Sequence, residues 1–284
     1  MKNKIVDPLG TRIKENYENR TRYYVPRRTY TLIRLDGSHW HTYTRGLNKP
    51  FDDGLSQDID NAIISMLPQI QGVVFAFAQS DEISILLSDF ALPTTSAWFD
   101  GNIQKMASVS ASIITAEFNK LRICRYIDES GLDLRDWHFD DKYIKTAYFD
   151  SRIFTIPDRI EVMNYFLWRN QDCARNSVSM VAQSLFSHAQ LQGKSTPQMQ
   201  EMMFKEHNIN WSTYDQAKKN GRLIVKEEYF IDMKYPDTND NKIHINGYIT
   251  NEGLKSKRSR WVSTSAWKFT EDKERLLSMI PKYV

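Results

Sequence analysis

Along the chain, β-prone runs alternate with stretches in which apolar residues recur every third or fourth position. Residues 30–35 (Tyr-Thr-Leu-Ile-Arg-Leu) read as a strand, stopped by the turn pair Asp36-Gly37, so Asp36 stands at a strand end. From Leu55 the positions Ile59, Ala62, Ile63 and Met66 fall on one helical face, and Pro68 marks the stop. Two continuous apolar runs, 73–78 and 83–87, predict a hairpin connected by Gln79-Ser80-Asp81-Glu82, with Asp81 and Glu82 at its tip. After Gly101-Asn102, the positions Ile103, Met106, Ala107, Ile113, Ile114 and Phe118 mark a second helix, with Lys105 off its apolar stripe. A polar, acidic stretch over 128–142 reads as a loop or insertion, and 147–155 as the next strand.

The order β-α-β-β-α-β is ferredoxin-like, and the palms of many polymerases and nucleotide cyclases follow it. The expected class is therefore α+β: an antiparallel palm sheet with helices on one face, a helical extension, and a small C-terminal β-rich element. Pro157-Asp158 opens a long helical region through Phe166 to Phe186, and Pro197 opens another near Met202, Met203 and Phe204. Beyond Tyr229 the texture changes, with strands expected at 229–233 and 243–249 around the turn-rich 236–241. The expected division is a palm-like catalytic domain with a basic amino-terminal arm (1–155), a helical extension (156–227) and the β-rich element (228–284). The chain shows no internal repeat.

With 284 residues, 41% of them hydrophobic, the chain can bury a sizeable core, which excludes a disordered tail or a small stapled scaffold. Cys124 and Cys173 stand far apart without metal-ligand spacing, which argues against a disulfide framework or structural zinc. No apolar run has signal-peptide or membrane-spanning length, so a soluble, cytoplasmic protein with no membrane partner is expected. The net charge of +3 is uneven. Arg12, Lys14, Arg20, Arg22, Arg27 and Arg28 crowd the start with Tyr17, Tyr23 and Tyr24 among them, while Asp52, Asp53, Asp58 and Asp60 follow. Such an arm meets a phosphate backbone or is a solvated face. The basic 256–260 with Trp261 and Trp267 likewise contacts RNA or packs on the body.

Strands ending in Asp36 and Asp81, laid side by side, place two carboxylates at one sheet edge, and like charges so close call for a cation. Hard oxygen ligands suit Mg²⁺, and two such ions can hold the attacking and leaving oxygens of a phosphoryl transfer. The Gly37 carbonyl can complete the shell because no side chain blocks its approach, and Glu82 ligates or orients. Taken singly, Asp36-Gly37 also reads as an ordinary turn and Ser80-Asp81-Glu82 as an ordinary hairpin loop. Lys49, Lys105 and Arg152 are candidate cations over a triphosphate, with Gly101-Asn102 offering backbone amides at a helix start, or are solvated charges. His41 is a catalytic candidate or a structural histidine. The polar block Trp168-Arg169-Asn170-Gln171-Asp172 with Arg175-Asn176-Ser177 lines a site or makes interhelical hydrogen bonds.

Arg34-Leu35-Asp36-Gly37, His41, Lys49-Pro50, Ser80-Asp81-Glu82, Phe149-Asp150-Ser151-Arg152 and Trp168-Arg169-Asn170-Gln171-Asp172-Cys173 resemble, in order and spacing, the motifs of the tRNA(His) guanylyltransferase superfamily. The match spans 30–221, and residues 204–211 echo a later family segment. The resemblance implies a palm holding two Mg²⁺ through Asp36, the Gly37 carbonyl and Asp81, with Ser80 and Glu82 close by and Asp36, Asp81 and Glu82 catalytic. It also implies nucleotide addition to RNA 5′ ends in the 3′ to 5′ direction: ATP activates a 5′ phosphate, which the 3′-hydroxyl of an incoming nucleotide then attacks. His41 and Lys49 would meet the activating nucleotide, Asn102, Gln104 and Lys105 a triphosphate, and Arg152, Arg175 and Asn176 the RNA end. ATP and GTP are the implied substrates, tRNA the implied partner, and a tetramer the implied assembly. Eukaryotic members carry His-Ile-Asn-Asn where this chain has Ala174-Arg175-Asn176-Ser177, and a lysine expected before Phe204 is missing. The first departure resembles the bacterial, archaeal or viral branch, which implies templated repair of 5′-truncated tRNA; the second leaves part of the RNA or nucleotide contact unassigned.

Two other classes stay open on the sequence. A nucleotide cyclase could use the same carboxylate pair, and RNA dependence separates it from a polymerase. An RNA-binding module could share the β-α-β-β-α-β order, but no aromatic strand of the RRM kind is present and acidic strand ends would repel RNA without metal.

Overall fold

The computed structural model describes residues 7–131, 145–232, 248–250 and 253–283. The expected turn 236–241 and most of the expected strand 243–249 and acidic stretch lie outside them. The amino-terminal helix α1 (Pro8–Asn16) and the short α2 (Trp40–Tyr43) flank β1 (Tyr30–Gly37). Next come α3 (Asp53–Met66), β2 (Val73–Gln79), β3 (Glu82–Leu87), α4 (Ile103–Ser130) and β4 (Phe149–Ile156), the order read from the sequence. α5 (Arg159–Leu185), α6 (His188–Leu191), α7 (Thr196–His207) and α8 (Gln216–Asn220) follow, and β5 (Arg222–Asp232), β6 (Tyr248–Thr250), β7 (Gly253–Ser265) and α9 (Lys273–Met279) close the chain.

The strands form one antiparallel sheet of seven in the order β4-β1-β3-β2-β5-β7-β6, whose first four follow the ferredoxin-like arrangement. Alternation along β1 and β3 decides what each face meets. Ile33, Leu35, Ile83, Ile85 and Leu87 pack with Ile59, Ala62, Ile63 and Met66 of α3 and with Met106, Ile114 and Phe118 of α4. Tyr30, Leu32 and Leu86 point to the other face, where Val162, Phe166 and Leu167 of α5 and Leu276 of α9 cover them. The two palm helices therefore share one face, as expected, while α5 and α9 roof the other. Burial on both faces is why β2 and β3 read as continuous apolar runs. Each fully buried Ile or Leu here contributes about 1.5–3 kcal/mol, and Phe166→Ala would cost about 3–5 kcal/mol.

Helix starts follow local chemistry. The Asp52 side chain accepts from Leu55 N to open α3, and Asp158 accepts from Ile160 N and Glu161 N to open α5. The strand expected at 229–233 begins earlier, at Arg222, because Ala76, Phe77 and Ala78 of β2 pair with Ile224, Leu223 and Arg222. The terminal strands thus continue the palm sheet. Trp261 packs on the α3/α4 side and Trp267 on the α5 side, so both tryptophans serve packing. The amino-terminal arm has no buried residue between Pro8 and Thr21. No helix among the described residues is long and apolar enough to cross a membrane.

Candidate active site

β1 and β2 run in the same direction, so their carboxyl ends, Asp36-Gly37 and Gln79, meet at one edge of the sheet. Gln79 pairs with Glu82, which leaves Ser80-Asp81 as a two-residue turn, with Ser80 at φ +48°. That turn lies against β1. A Cβ on Gly37 would sit 2.9 Å from both Asp81 Cβ and Asp81 Oδ2, and 2.6 Å from Trp40 Cε3. Only glycine lets the strand end and the turn come this close.

The electrostatics of this edge are unfavourable as they stand. Burial pushes the Asp81 carboxyl up to about 7; hydrogen bonds from its own and the Gly37 backbone N–H and from the Ser80 hydroxyl offset this only in part, and the Asp36 charge adds to it. Asp36 is raised too, first by burial and next by Asp150, its register partner on β4, while Arg34, Arg152 and Arg169 pull it back. Arg152 sits beside both acids, Nη2 4.0 Å from Asp36 Oδ2 and Nε 3.6 Å from Asp150 Oδ1.

Asp36, Ser80, Asp81 and Glu82 line a cavity of about 260 Å³ whose far wall is α3 and α5. Arg169, Asp172, Asn176 and Met180 face it from α5 at helical spacing, and Lys218 and Arg222 close its rim. A second cavity of about 270 Å³ lies next to it, lined by His41, Lys49, Ser80 and Gln183, and the two share Asp52, Leu55, Ser80 and Met180. The hairpin turn thus stands between two adjoining spaces. Cys173 also faces the first cavity, but burial pushes its thiol up to about 12, which rules it out as a nucleophile near neutral pH.

The structure thus gathers Asp36, Gly37, Ser80, Asp81, Glu82, Arg152 and Asn176 at one edge, and His41 and Lys49 in the adjoining cavity. Arg175 joins through Asp172, Nη2 to Oδ1 2.8 Å. Glu82, expected to be catalytic and to ligate or orient, has both oxygens engaged: they accept from Arg169 Nε at 2.6 Å and Nη2 at 2.7 Å. Asn102, Gln104 and Lys105 line neither cavity. They form the start of α4, where Asn102 Oδ1 accepts from Lys105 N and Lys105 Nζ lies 5.9 Å from the Phe99 ring centre. Residues 23–25, just ahead of β1, pair with this segment, which places it at the sheet end opposite Asp36.

On sequence Asp52, Lys218 and Arg222 carry no site role, and Arg169 and Asp172 stand only within a polar block that lines a site or makes interhelical hydrogen bonds. The signal for the α5 residues was there: polar positions 169, 172 and 176 recur at helical spacing inside an otherwise apolar helix. The polar block does both things its composition allowed, since Asn170 bonds the Asn220 and Trp267 carbonyls and the Phe269 N–H. Oxygen donors dominate the edge, and two carboxylates with a backbone carbonyl form a set suited to a hard divalent cation.

Comparison with known proteins places the chain in a family. The family model described as "Thg1: tRNAHis guanylyltransferase" matches residues 11–157. A tRNA(His) guanylyltransferase from Debaryomyces hansenii is 27% identical over 214 residues, covering 70% of this chain and 74% of the relative. A bacterial tRNA(His) guanylyltransferase-like protein in complex with ATP superposes with a TM-score of 0.76 at 35% identity, covering 96% of this chain and 99% of that one. Another such structure, in complex with GTP, gives 0.67 at 32% identity, with the same shares covered.

Proposed function

Because the chain belongs to the tRNA(His) guanylyltransferase family and is a nucleotidyltransferase of that kind, we propose that it adds nucleotides to RNA 5′ ends in the 3′ to 5′ direction. The substrate would be a tRNA or tRNA-like RNA, repaired at a truncated 5′ end. The observation that carries this reading is the packing of Asp81 against Gly37, next to Asp36, where two adjoining cavities meet.

The Asp36 and Asp81 carboxylates and the Gly37 carbonyl would hold Mg²⁺. The fit rests on the space a Cβ would fill and on an Asp81 carboxyl with no cation beside it to match its burial. When bound, the metal supplies positive charge to the transferring phosphate and favours ionisation of an attacking hydroxyl. The protein supplies position. His41 and Lys49 would receive ATP in one cavity during activation of the 5′ phosphate, Asn176 would orient the RNA end or the incoming nucleotide in the other, and Arg175 would meet the RNA from beside it, held by Asp172. Arg152, half-exposed beside Asp36, would meet a phosphate entering from solvent.

The deciding experiment incubates the protein with Mg²⁺, ATP, GTP and a 5′-monophosphorylated tRNA lacking its first nucleotide, resolving products at single-nucleotide length. Extension at the 5′ end that follows the opposite strand supports the reading. No extension, even with a 5′-triphosphorylated RNA that bypasses activation, rejects it, and cyclic nucleotide formed without RNA would replace it with a cyclase.

A further inference from the structure

We propose that Arg169 is a positioning residue, acting through Glu82 to fix the Ser80-Asp81 turn and to keep the Glu82 carboxylate out of the metal-receiving edge. The proposal rests on the reading of that edge given above. Its basis is a chain of contacts across the cavity floor. Arg169 takes both oxygens of Glu82 side-on, and its Nη2 also donates to Asp172 Oδ2 at 2.8 Å. The guanidinium is buried, and its carbon stands 4.3 Å from the Trp168 ring centre, so the group has little freedom to leave. Asp172 in turn receives Arg175, which ties the clamp to the cavity wall.

On the hairpin side, Glu82 is the residue next to Asp81 and closes the turn as the partner of Gln79, whose Nε2 donates to Glu82 Oε1 at 3.2 Å. Fixing Glu82 to α5 therefore fixes the residue that presents Asp81. Arg34, whose Nε lies 3.9 Å from Glu82 Oε2, has no hydrogen-bond partner at that buried nitrogen. A long contact of that kind cannot replace a two-point fork. Without Arg169, Glu82 would lose the fork that holds it to α5, and the turn that presents Asp81 would lose its anchor.

The test is Mn²⁺ binding to the substrate-free protein, followed by electron paramagnetic resonance, with thermal melts as the folding control. Arg169→Met should weaken Mn²⁺ binding at least about tenfold, while the nucleotide KM at saturating metal moves less than about threefold. Arg169→Lys should recover only part of the affinity, since an ammonium cannot fork. Glu82→Gln should bind Mn²⁺ within about threefold of the parent. Wild-type Mn²⁺ affinity in folded Arg169→Met would overturn the proposal, as would loss in Glu82→Gln as complete as in Asp81→Asn, which would make Glu82 a ligand. If Arg169→Met does not fold, the lysine and glutamine variants decide alone. A parent protein that shows this Arg169-dependent metal binding yet never extends RNA would sink the functional reading and leave the clamp standing.

Discussion

Helix α3 carries Asp58 and Asp60, and the sheet edge nearby carries Asp36 and Asp81, yet the fold treats the two pairs in opposite ways. Asp58 is 2% exposed and held by two guanidinium groups, Arg122 Nη1 at 2.9 Å and Arg125 at 2.8 Å through both Nε and Nη2. Asp60 receives Arg222 Nε at 2.6 Å and the Ser263 hydroxyl at 2.7 Å. These carboxylates are matched by the protein's own cations, and they pin α3 to α4 and to the β5–β7 ribbon. Asp81 has no cation within salt-bridge distance among the described residues, and Asp36 faces Asp150 across the strands. A fold that matches Asp58 and Asp60 with three arginines, yet gives Asp36 only a 4.0 Å contact with the half-exposed Arg152 and Asp81 no such contact among the described residues, marks the second pair as a place for something from outside.

Breaking the unpaired set should have the largest effect on activity. Asp36→Asn or Asp81→Asn should lower kcat/KM by about a thousandfold or more, the several kcal/mol of charge stabilisation that a bound metal contributes. Metal-free Asp81→Asn should melt at or above the parent temperature, since it removes a charge the fold does not satisfy. Single-turnover kinetics and calorimetry check both.

The same contrast predicts a pH dependence. With its folded value raised to about 7, Asp81 is protonated in the native state while the unfolded chain is already ionised. The unfolded state then binds fewer protons, so metal-free stability falls as pH rises from about 4 to about 7, by about 4 kcal/mol from this group. Mg²⁺ should restore it above that window. Urea unfolding across pH, with and without Mg²⁺, measures the difference.

Breaking the paired set should do the reverse. Asp58→Ala leaves the partly buried Arg122 and Arg125 without their shared partner and should cost about 3 kcal/mol of stability, read by urea unfolding, with kcat/KM of the folded fraction unchanged. A smaller effect is expected where the unpaired edge is merely crowded: Gly37→Ala forces a Cβ onto Trp40 and Asp81 and should cost about 2 kcal/mol, with activity down by about tenfold to a hundredfold.

How far the sequence reached differs between these regions for a physical reason. Asp36 and Asp81 were legible because each follows a local signal, a β-prone run ended by a turn pair or a hairpin between two apolar runs. The palm order was legible for the same reason. The pairing of Arg169 with Glu82 was not, because the two are 87 positions apart and nothing local announces a buried fork. Nor was the start of β5, where only the apolar 223–225 precede a charged ribbon and pairing with β2 decides the strand. Lys105 shows where local pattern stops: it lies off the apolar stripe of α4 at a helix start, and α4 begins at the sheet end away from Asp36, which carries the lysine outside both cavities. Asp58 and Asp60 looked like any acidic run until the arginines of α4 and β5 came to meet them.

The central claim is that the weakly matched Asp36 and the unmatched Asp81 receive a divalent cation, and diffraction at the manganese edge from crystals grown with Mn²⁺ tests it most directly. The account predicts anomalous density bounded by Asp36, the Gly37 carbonyl and Asp81, and none beside Asp58 or Asp60. Density confined to other sites, with Asp36 and Asp81 bare at saturating Mn²⁺, would contradict it.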